Sequence, residues 1–385
     1  MDIQKIKSNS ALFLFLLVNF AFSVKYLQRI TPYYILISFL IAGFSYALWK
    51  FRMNTQAAFE KVRHLNVGLL FVFIVISAFV FLKVPVTSLN VDRWSVITSF
   101  WDNYFHDDYV YFAKSTFGNA PGPMPFYFML ALPFYLAEKL DYFSLLGVIA
   151  FHLLLQHKSR NTHFQSTSLL LLLSSTFYLW EVICRSNIFL NGALVLFSIV
   201  YFLNSLEHRK RYFVAHNGIM IGLLLSTRNV FIIPYIVLFL FVLKFRLISI
   251  KEFLQIGAVA LVSFVITFLP FVMNHFDDFM KANPFVIQSS FLMPLSYSMG
   301  CIAISFGTFF FVKQKSDVYF YSGLILFFTI LLHHLYKIGE YGFRDALMGS
   351  RADISYFILC VPFLLYYVVN IEKQTDIPKP IAIEK

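Results

Sequence analysis

Charge is what this sequence has least of. Asp, Glu, Lys and Arg make up 13% of its 385 residues, against about a quarter in a soluble domain, and that shortfall excludes an ordinary water-soluble globule. Cysteine is scarce too. Cys184, Cys301 and Cys360 lie in or beside apolar runs at no metal-ligand spacing, which argues against a disulfide framework or a zinc site and leaves three small hydrophobes. Gly/Ser linkers, low-complexity tracts and internal repeats are missing as well, so a single transmembrane domain over residues 1–385 is the simplest organisation.

Hydrophobic residues abound instead, at 59% of the chain with 49 phenylalanines. Apolar runs recur near residues 10–29, 33–50, 66–84, 122–139, 142–156, 166–183, 187–204, 213–227, 230–247, 253–274, 288–312, 317–336 and 352–371. A helix needs roughly 17–25 such residues to cross a bilayer core of about 30 Å. The runs are continuously apolar and do not alternate, which selects helices over a barrel. The expected fold class is an all-α polytopic membrane protein of about 11–13 transmembrane helices. Lys5 and Lys7 precede the first run as in a signal peptide, but no small-residue cleavage site follows, so a retained first helix is expected.

The formal net charge of +11 bears on topology and predicts no nucleic-acid partner. Basic residues gather in short loops: Lys50, Arg52, Lys61 and Arg63; Arg209, Lys210 and Arg211; Lys244, Arg246 and Lys251; Lys313 and Lys315. This is the positive-inside bias of cytoplasmic loops. It places loop 51–65 in the cytoplasm and loop 85–121 outside. Counting back from the basic tail (Lys373, Lys379) puts 275–287 and 337–350 outside as well. A multi-pass protein of the cell inner (plasma) membrane, with both termini cytoplasmic, is expected. The two counts collide between 138 and 190, where the 142–156 run is short and Arg185-Ser186-Asn187 interrupts a hairpin. An irregular, broken or re-entrant stretch is expected there.

Polar residues concentrate in one stretch, VDRWSVITSFWDNYFHDDYVYFAKSTFGNAPGPMPFYF, residues 91–128. Val96, Ile97, Phe100, Trp101, Tyr104 and Phe105 fall on one face of a short helix, and its aromatics suit the membrane–water interface. Asp92 stands where it either caps that helix or acts as a carboxylate of a site. Asp107 and Asp108 follow the helix as solvated loop residues or as further site carboxylates. His106 has no second His or Cys nearby and reads as a surface residue. Pro121-Gly122-Pro123-Met124-Pro125 ends the loop and restarts a helix.

An early outer loop with an Asp, an interfacial helix, a DDYVYFAK segment and a proline-rich start to the next span resembles the integral-membrane glycosyltransferases of the GT-C superfamily. The bacterial mannosyltransferase and protein-mannosyltransferase-like branches are the most similar. SSTFYLWEVICRSNIFLNGALVLFSIVYFL looks like the family's paired central helices, GIMIGLLLSTRNVFIIPYIVLFLF like its Gly-rich helix and Arg-bearing turn, and MGSRADISYFILCVPFLLYY like its last span. The chain departs from the commonest pattern in two respects. Two helices precede the loop's own span, and the adjacent acidic pair stands as Asp107-Asp108, away from Asp92.

The resemblance implies that a sugar moves, with inversion, from a polyprenyl-phosphate donor to a hydroxyl of a glycan, lipid or protein acceptor on the extracytoplasmic face. A hydroxyl is a weak nucleophile, so a carboxylate must take its proton; Asp92 is the expected base, with Asp107 and Asp108 as alternates. Nearby carboxylates also stabilise an oxocarbenium-like centre, and cations neutralise the departing phosphate. Expected substrate contacts are Arg93, Trp94, Asp102, Tyr109, Lys114, Glu181, Arg185, Asn187, Arg228 and Arg351. Arg185, Arg228 and Arg351 fall at outer ends of spans, where the alternative is snorkelling to lipid headgroups. Glu181 and Arg185 have the spacing of an intrahelical ion pair. Trp94, Trp101 and Tyr109 stack on a sugar or anchor at the interface. His333 and His334 read as core or interface residues. No metal site is expected, and a divalent cation is left open as the only cofactor.

Two other functions compete. A flippase for lipid-linked sugars tends to show repeated halves and broken helices in matching positions, whereas here the carboxylates crowd one asymmetric loop. A polysaccharide polymerase or ligase usually carries its large outer loop late in the chain, and here it is early. A scaffold without chemistry is the blandest alternative.

Overall fold

The computed structural model describes residues 3–52, 65–158, 162–207, 209, 211–291, 293–349 and 351–370. Lys61, Arg63, Lys210 and the tail residues Lys373 and Lys379, used above to orient the chain, lie outside them. The described residues are helical or irregular, with no strand. The helices of eight or more residues are α1 Ile3–Leu27, α2 Tyr34–Lys50, α3 Leu65–Lys83, α4 Arg93–Phe105, α5 Pro125–Leu136, α6 Leu146–Lys158, α7 Thr162–Leu173, α8 Thr176–Ile183, α9 Ile188–Ser205, α10 Phe213–Leu225, α11 Ile232–Lys244, α12 Ile250–Ile266, α13 Pro284–Phe291, α14 Leu295–Gly307, α15 Lys315–Tyr341 and α16 Val361–Asn370.

Five segments among the described residues are long and apolar enough to cross a membrane: α1, α3, α9, Ile250–Val272 and α15. A sixth forms if Gln165–Leu173 and Thr176–Ile183, bent by 63°, count as one span. The protein is therefore a polytopic membrane protein, but with fewer full-length spans than the apolar runs suggested. The other runs fold as helices of 10–17 residues, and a 12-residue helix rises only about 18 Å. Local backbone chemistry cuts them short. Run 122–139 becomes α5 because Pro125 opens it and Glu138 turns left-handed (φ 54°) after it. Run 230–247 ends as Arg246 does the same (φ 51°), and run 288–312 is divided at Pro294. The bent pair falls within residues 138–190, where the charge-based counts collided.

Contacts divide the chain into two compact units. The first comprises the described residues of 1–88, 144–193 and 326–370. In it α2 and α3 are inside out by soluble standards. Their buried residues are Ser38, Ser45 and Trp49, and Asn66, Phe73 and Ser77, while Phe39, Leu40, Phe44, Phe71, Ile76 and Phe79 are exposed. Small polar groups glue such helices together where the surroundings are lipid. Asn66 accepts from Ser166 at 2.7 Å, and Asn19 accepts the backbone N–H of Thr176 at 2.7 Å.

The second unit comprises the described residues of 89–143 and 194–325. Its α10 and α12 pack backbone to backbone because Gly218 and Gly222 present no side chain; a Cβ on Gly222 would lie 2.2 Å from the Ala260 carbonyl oxygen. A capping box starts α12, with Ser249 accepting from the Glu252 N–H and Glu252 returning the bond. The basic loops expected on one side meet one another here. Arg209 pairs with Glu252 at 2.6 Å, Lys315 pairs with Glu207, and the Lys244 ammonium donates to the carbonyls of Phe309 and Val312.

Candidate functional site

The loop of residues 91–128 belongs to the second unit, and α4 is its organising element. Ile97, Phe100 and Trp101 are buried, but their cover is protein: Phe100 stacks on Phe128 of α5 at 3.7 Å, and the Trp101 indole donates to the Phe128 carbonyl at 3.1 Å. Tyr104 and Phe105 stay exposed. The apolar face is seated on α5 in its first half, and its partly exposed last turn also meets protein, Tyr104 against Phe271 and Phe105 stacked on Tyr135 of α5.

Asp92 occupies the N-cap position of α4, yet its side chain makes no cap bond. Its Oδ2 instead accepts from the Ser115 hydroxyl at 2.6 Å and from the Asn119 amide at 2.7 Å. Both donors come from one tight turn. Gly118 supplies a left-handed φ of 77°, Ser115 N–H bonds the Asn119 carbonyl, and the Gly118 N–H returns to the Ser115 carbonyl. Two bonds fix one oxygen of the half-buried carboxylate, and Oδ1 has no hydrogen-bond partner among the described residues. That is the geometry of a positioned proton acceptor.

The other acidic residues sit differently. Asp107 follows the last turn of α4 with φ 59°, and the Asp108 N–H closes a six-residue ring to the Asn103 carbonyl at 2.9 Å, a Schellman ending. The Asp107 side chain is 93% exposed, 3.9 Å from His275, and Asp108 is exposed. Asp102 accepts from the Tyr135 hydroxyl at 2.6 Å. These three are surface carboxylates, and only Asp92 is held by a preformed pair of donors.

Tyr109 is buried, with its hydroxyl donating to the Ala282 carbonyl at 2.7 Å. Burial, reinforced by Asp278, pushes its phenol well above the ordinary range; Tyr111, fully buried and bonded to the Pro123 carbonyl, is raised for the same first cause. Neither ring is free to stack on a ligand. Trp94 is half-buried with an enclosed, unpartnered indole N–H. Arg93 is half-buried, and Lys114 is exposed.

Arg228 lies in the same unit. The proline-rich turn docks on its neighbours: Met124 N–H bonds the Thr227 carbonyl at 3.1 Å and Phe126 N–H the Ser226 carbonyl at 2.9 Å. Gln288 donates to the Gly122 carbonyl at 2.7 Å. Arg228 is buried with its guanidinium 5.9 Å from the Tyr127 ring centroid, so it is not a snorkelling residue.

Glu181, Arg185, Asn187 and Arg351 belong to the first unit. Glu181 and Arg185 have the spacing of a pair within one helix, but α8 ends at Ile183 and Arg185 lies beyond it at φ 52°, so the two do not share a helix. Its guanidinium caps carbonyls, donating to Val84 at 2.6 Å, while Glu181 accepts the Phe189 N–H at 2.8 Å. Arg351 is exposed, 5.3 Å from the Tyr341 ring centroid. His333 and His334 are buried core residues, and the three cysteines are buried and form no disulfide among the described residues. No group of three or more His, Cys, Asp or Glu converges among the described residues.

Ser115, Asn119, Tyr135 and Gln288 were not singled out from the sequence. The signal for the first two was present in Ser-Thr-Phe-Gly-Asn, a turn whose Gly brings Ser and Asn to one side. No protein-family model matches the chain, and neither a curated protein nor a solved structure matches it.

Proposed function

We propose that this protein is a membrane glycosyltransferase of GT-C type, transferring a sugar from a polyprenyl-phosphate donor to an acceptor hydroxyl, with Asp92 as general base. The observation that carries the reading is the Asp92 carboxylate, held through Oδ2 by Ser115 and Asn119 while Oδ1 has no hydrogen-bond partner among the described residues. As the glycosidic bond forms, the acceptor proton passes to Oδ1 and the donor's phosphate departs with the bonding pair. Arg228, buried in the same unit, is the cation assigned to the phosphate, where a charge-assisted contact contributes on the order of a few kcal/mol. Arg93, Trp94 and Lys114 remain sugar contacts in this reading.

The test is reconstituted protein supplied with a panel of polyprenyl-phosphate sugars. Native protein should transfer sugar, and Asp92→Asn should lower turnover by about 100-fold or more with donor binding intact. Undiminished turnover in that variant removes Asp92 from the chemistry.

A flippase reading draws on one observation, the 63° break between α7 and α8, since transporters use broken helices. Movement of sugar-lipid across liposomes, without transfer to any acceptor, would favour it.

A further inference from the structure

Residues 271–288 of the second unit lie along the loop of residues 91–128 and are joined to it at several places. Phe271 packs edge-on against Trp101 and Tyr104, with ring centroids 5.8 and 5.4 Å apart. The Tyr109 hydroxyl donates to the Ala282 carbonyl at 2.7 Å, and the Gln288 amide donates to the Gly122 carbonyl, also at 2.7 Å. The last joint is His275. Its Nε2 is 3.9 Å from Asp107 Oδ1 and its Nδ1 is 3.8 Å from Asp278 Oδ2, so this imidazole has a carboxylate beside each nitrogen. The Tyr109 ring lies 5.8 Å from it.

The two carboxylates come from different elements. Asp107 follows the end of α4 with a left-handed φ of 59°, and Asp278 belongs to the short helix Phe276–Lys281, where His275 holds the N-cap position. A neutral imidazole has one N–H and can serve one carboxylate, and both separations exceed hydrogen-bond length. An imidazolium has a donor on each nitrogen and a charge that attracts both neighbours. The surrounding charges leave this arrangement open. Lys281 pairs with the other oxygen of Asp278, Oδ1, at 3.0 Å. Asp108 and Asp277, next in sequence to the two carboxylates, are exposed and add negative charge. The Tyr109 phenol, pushed up by burial, stays neutral. His106, the loop's own histidine, is exposed and turned to the Asp102 carbonyl at 2.6 Å.

We propose that His275 is a pH-sensitive clasp on this loop: protonated, it bridges Asp107 and Asp278 and fastens the end of α4 to residues 275–288. Neutral, it releases that joint while the contacts of Tyr109 and Gln288 stay in place. Closing the clasp takes up a proton, so its contribution is present at low pH and lost as pH rises. Histidine is the side chain whose charge ordinarily changes between about pH 5 and 8, and aspartate ordinarily titrates below that range. The clasp concerns how the loop is attached, and it stands or falls independently of the sugar-transfer reading.

The test is amide hydrogen exchange of full-length protein in nanodiscs, read on the segment 104–112 at about pH 5.5 and about pH 7.5. Rates are divided by those of an unstructured peptide of the same sequence at each pH, which removes the intrinsic pH dependence of exchange. Partly exposed ion pairs contribute modestly, so protection should rise about two- to fivefold at the lower pH. His275→Gln, polar but uncharged, should abolish the rise while matching the native protein at the higher pH, which separates a lost clasp from misfolding. Asp278→Asn should remove part of the rise. So should Asp107→Asn, since asparagine also accepts a left-handed turn. His106→Gln should leave the rise intact. No rise in the native protein, an equal rise in His275→Gln, or loss of the rise in His106→Gln overturns the proposal.

Discussion

The candidate base works because two neighbours hold it, and those neighbours can be tested separately from it. Ser115→Ala removes one of the two donors to Asp92 and should lower turnover less than Asp92→Asn does, with turnover recovered in Ser115→Thr, which keeps the hydroxyl. Tyr109 allows a sharper physical check. Its folded-state pKa is raised, so the neutral phenol is favoured in the folded loop. Stability from this group is therefore fully present below the unfolded value of about 10 and is lost as pH rises beyond it. Proteolysis of the 91–128 loop should accelerate above about pH 10, and Tyr109→Phe should flatten that dependence while costing about 1 kcal/mol for the lost bond to Ala282. At this scale the sequence was informative about composition and poor about partners. Arg228 was readable as a charge at the outer end of a span, and Asp92 as a carboxylate at the start of a short helix. Whether Asp92 caps a helix or accepts from a turn depends on a chain reversal more than twenty residues away, which no local pattern encodes.

Helices in this protein are bounded by unusual stops. Asp107, Glu138, Arg185 and Arg246 all take left-handed backbone where glycine is the ordinary choice. Asp107→Gly should stabilise the end of α4 by about 1 kcal/mol, read as slower amide exchange at Asp107 and Asp108. Close approach of α10 and α12 sets the opposite expectation. Gly222→Ala places a methyl 2.2 Å from backbone oxygen, which no rotamer can relieve, and should cost about 1–3 kcal/mol in thermal unfolding. Apolar runs located the helices well because burial or lipid demands continuous hydrophobicity. They overstated helix length because a run does not show which charged residue will accept a left-handed turn. A broken stretch was expected within residues 138–190, from the short 142–156 run and the Arg185-Ser186-Asn187 interruption, but the 63° hinge lies at Ser174–Ser175, between α7 and α8.

For the molecule as a whole, the outward Phe and Leu of α2 and α3 and the buried serines mark a protein whose solvent is lipid. Ile76→Arg, on the exposed face of the full-length span α3 and near its middle, should impair membrane insertion by about 2.5–3.5 kcal/mol, measured as the inserted fraction of newly made chains, whereas Leu82→Arg in the last turn of that helix should be tolerated. Charge placement was legible at this scale because it reflects a global rule. Loops bearing Arg209, Lys244 and Lys315 were expected to share a side, and in the second unit they bond one another's elements. The fully buried Glu181 has a wider meaning. Its carboxylate grips the first turn of α9 from across the Arg185 bend, where the positive end of a helix can hold a charge that lipid would otherwise reject. The Arg185 bend is thus latched: straightening that hairpin would break the Glu181–Phe189 bond and withdraw a buried carboxyl group from the start of α9, so this corner of the membrane body should behave as a fixed post and leave motion to other segments.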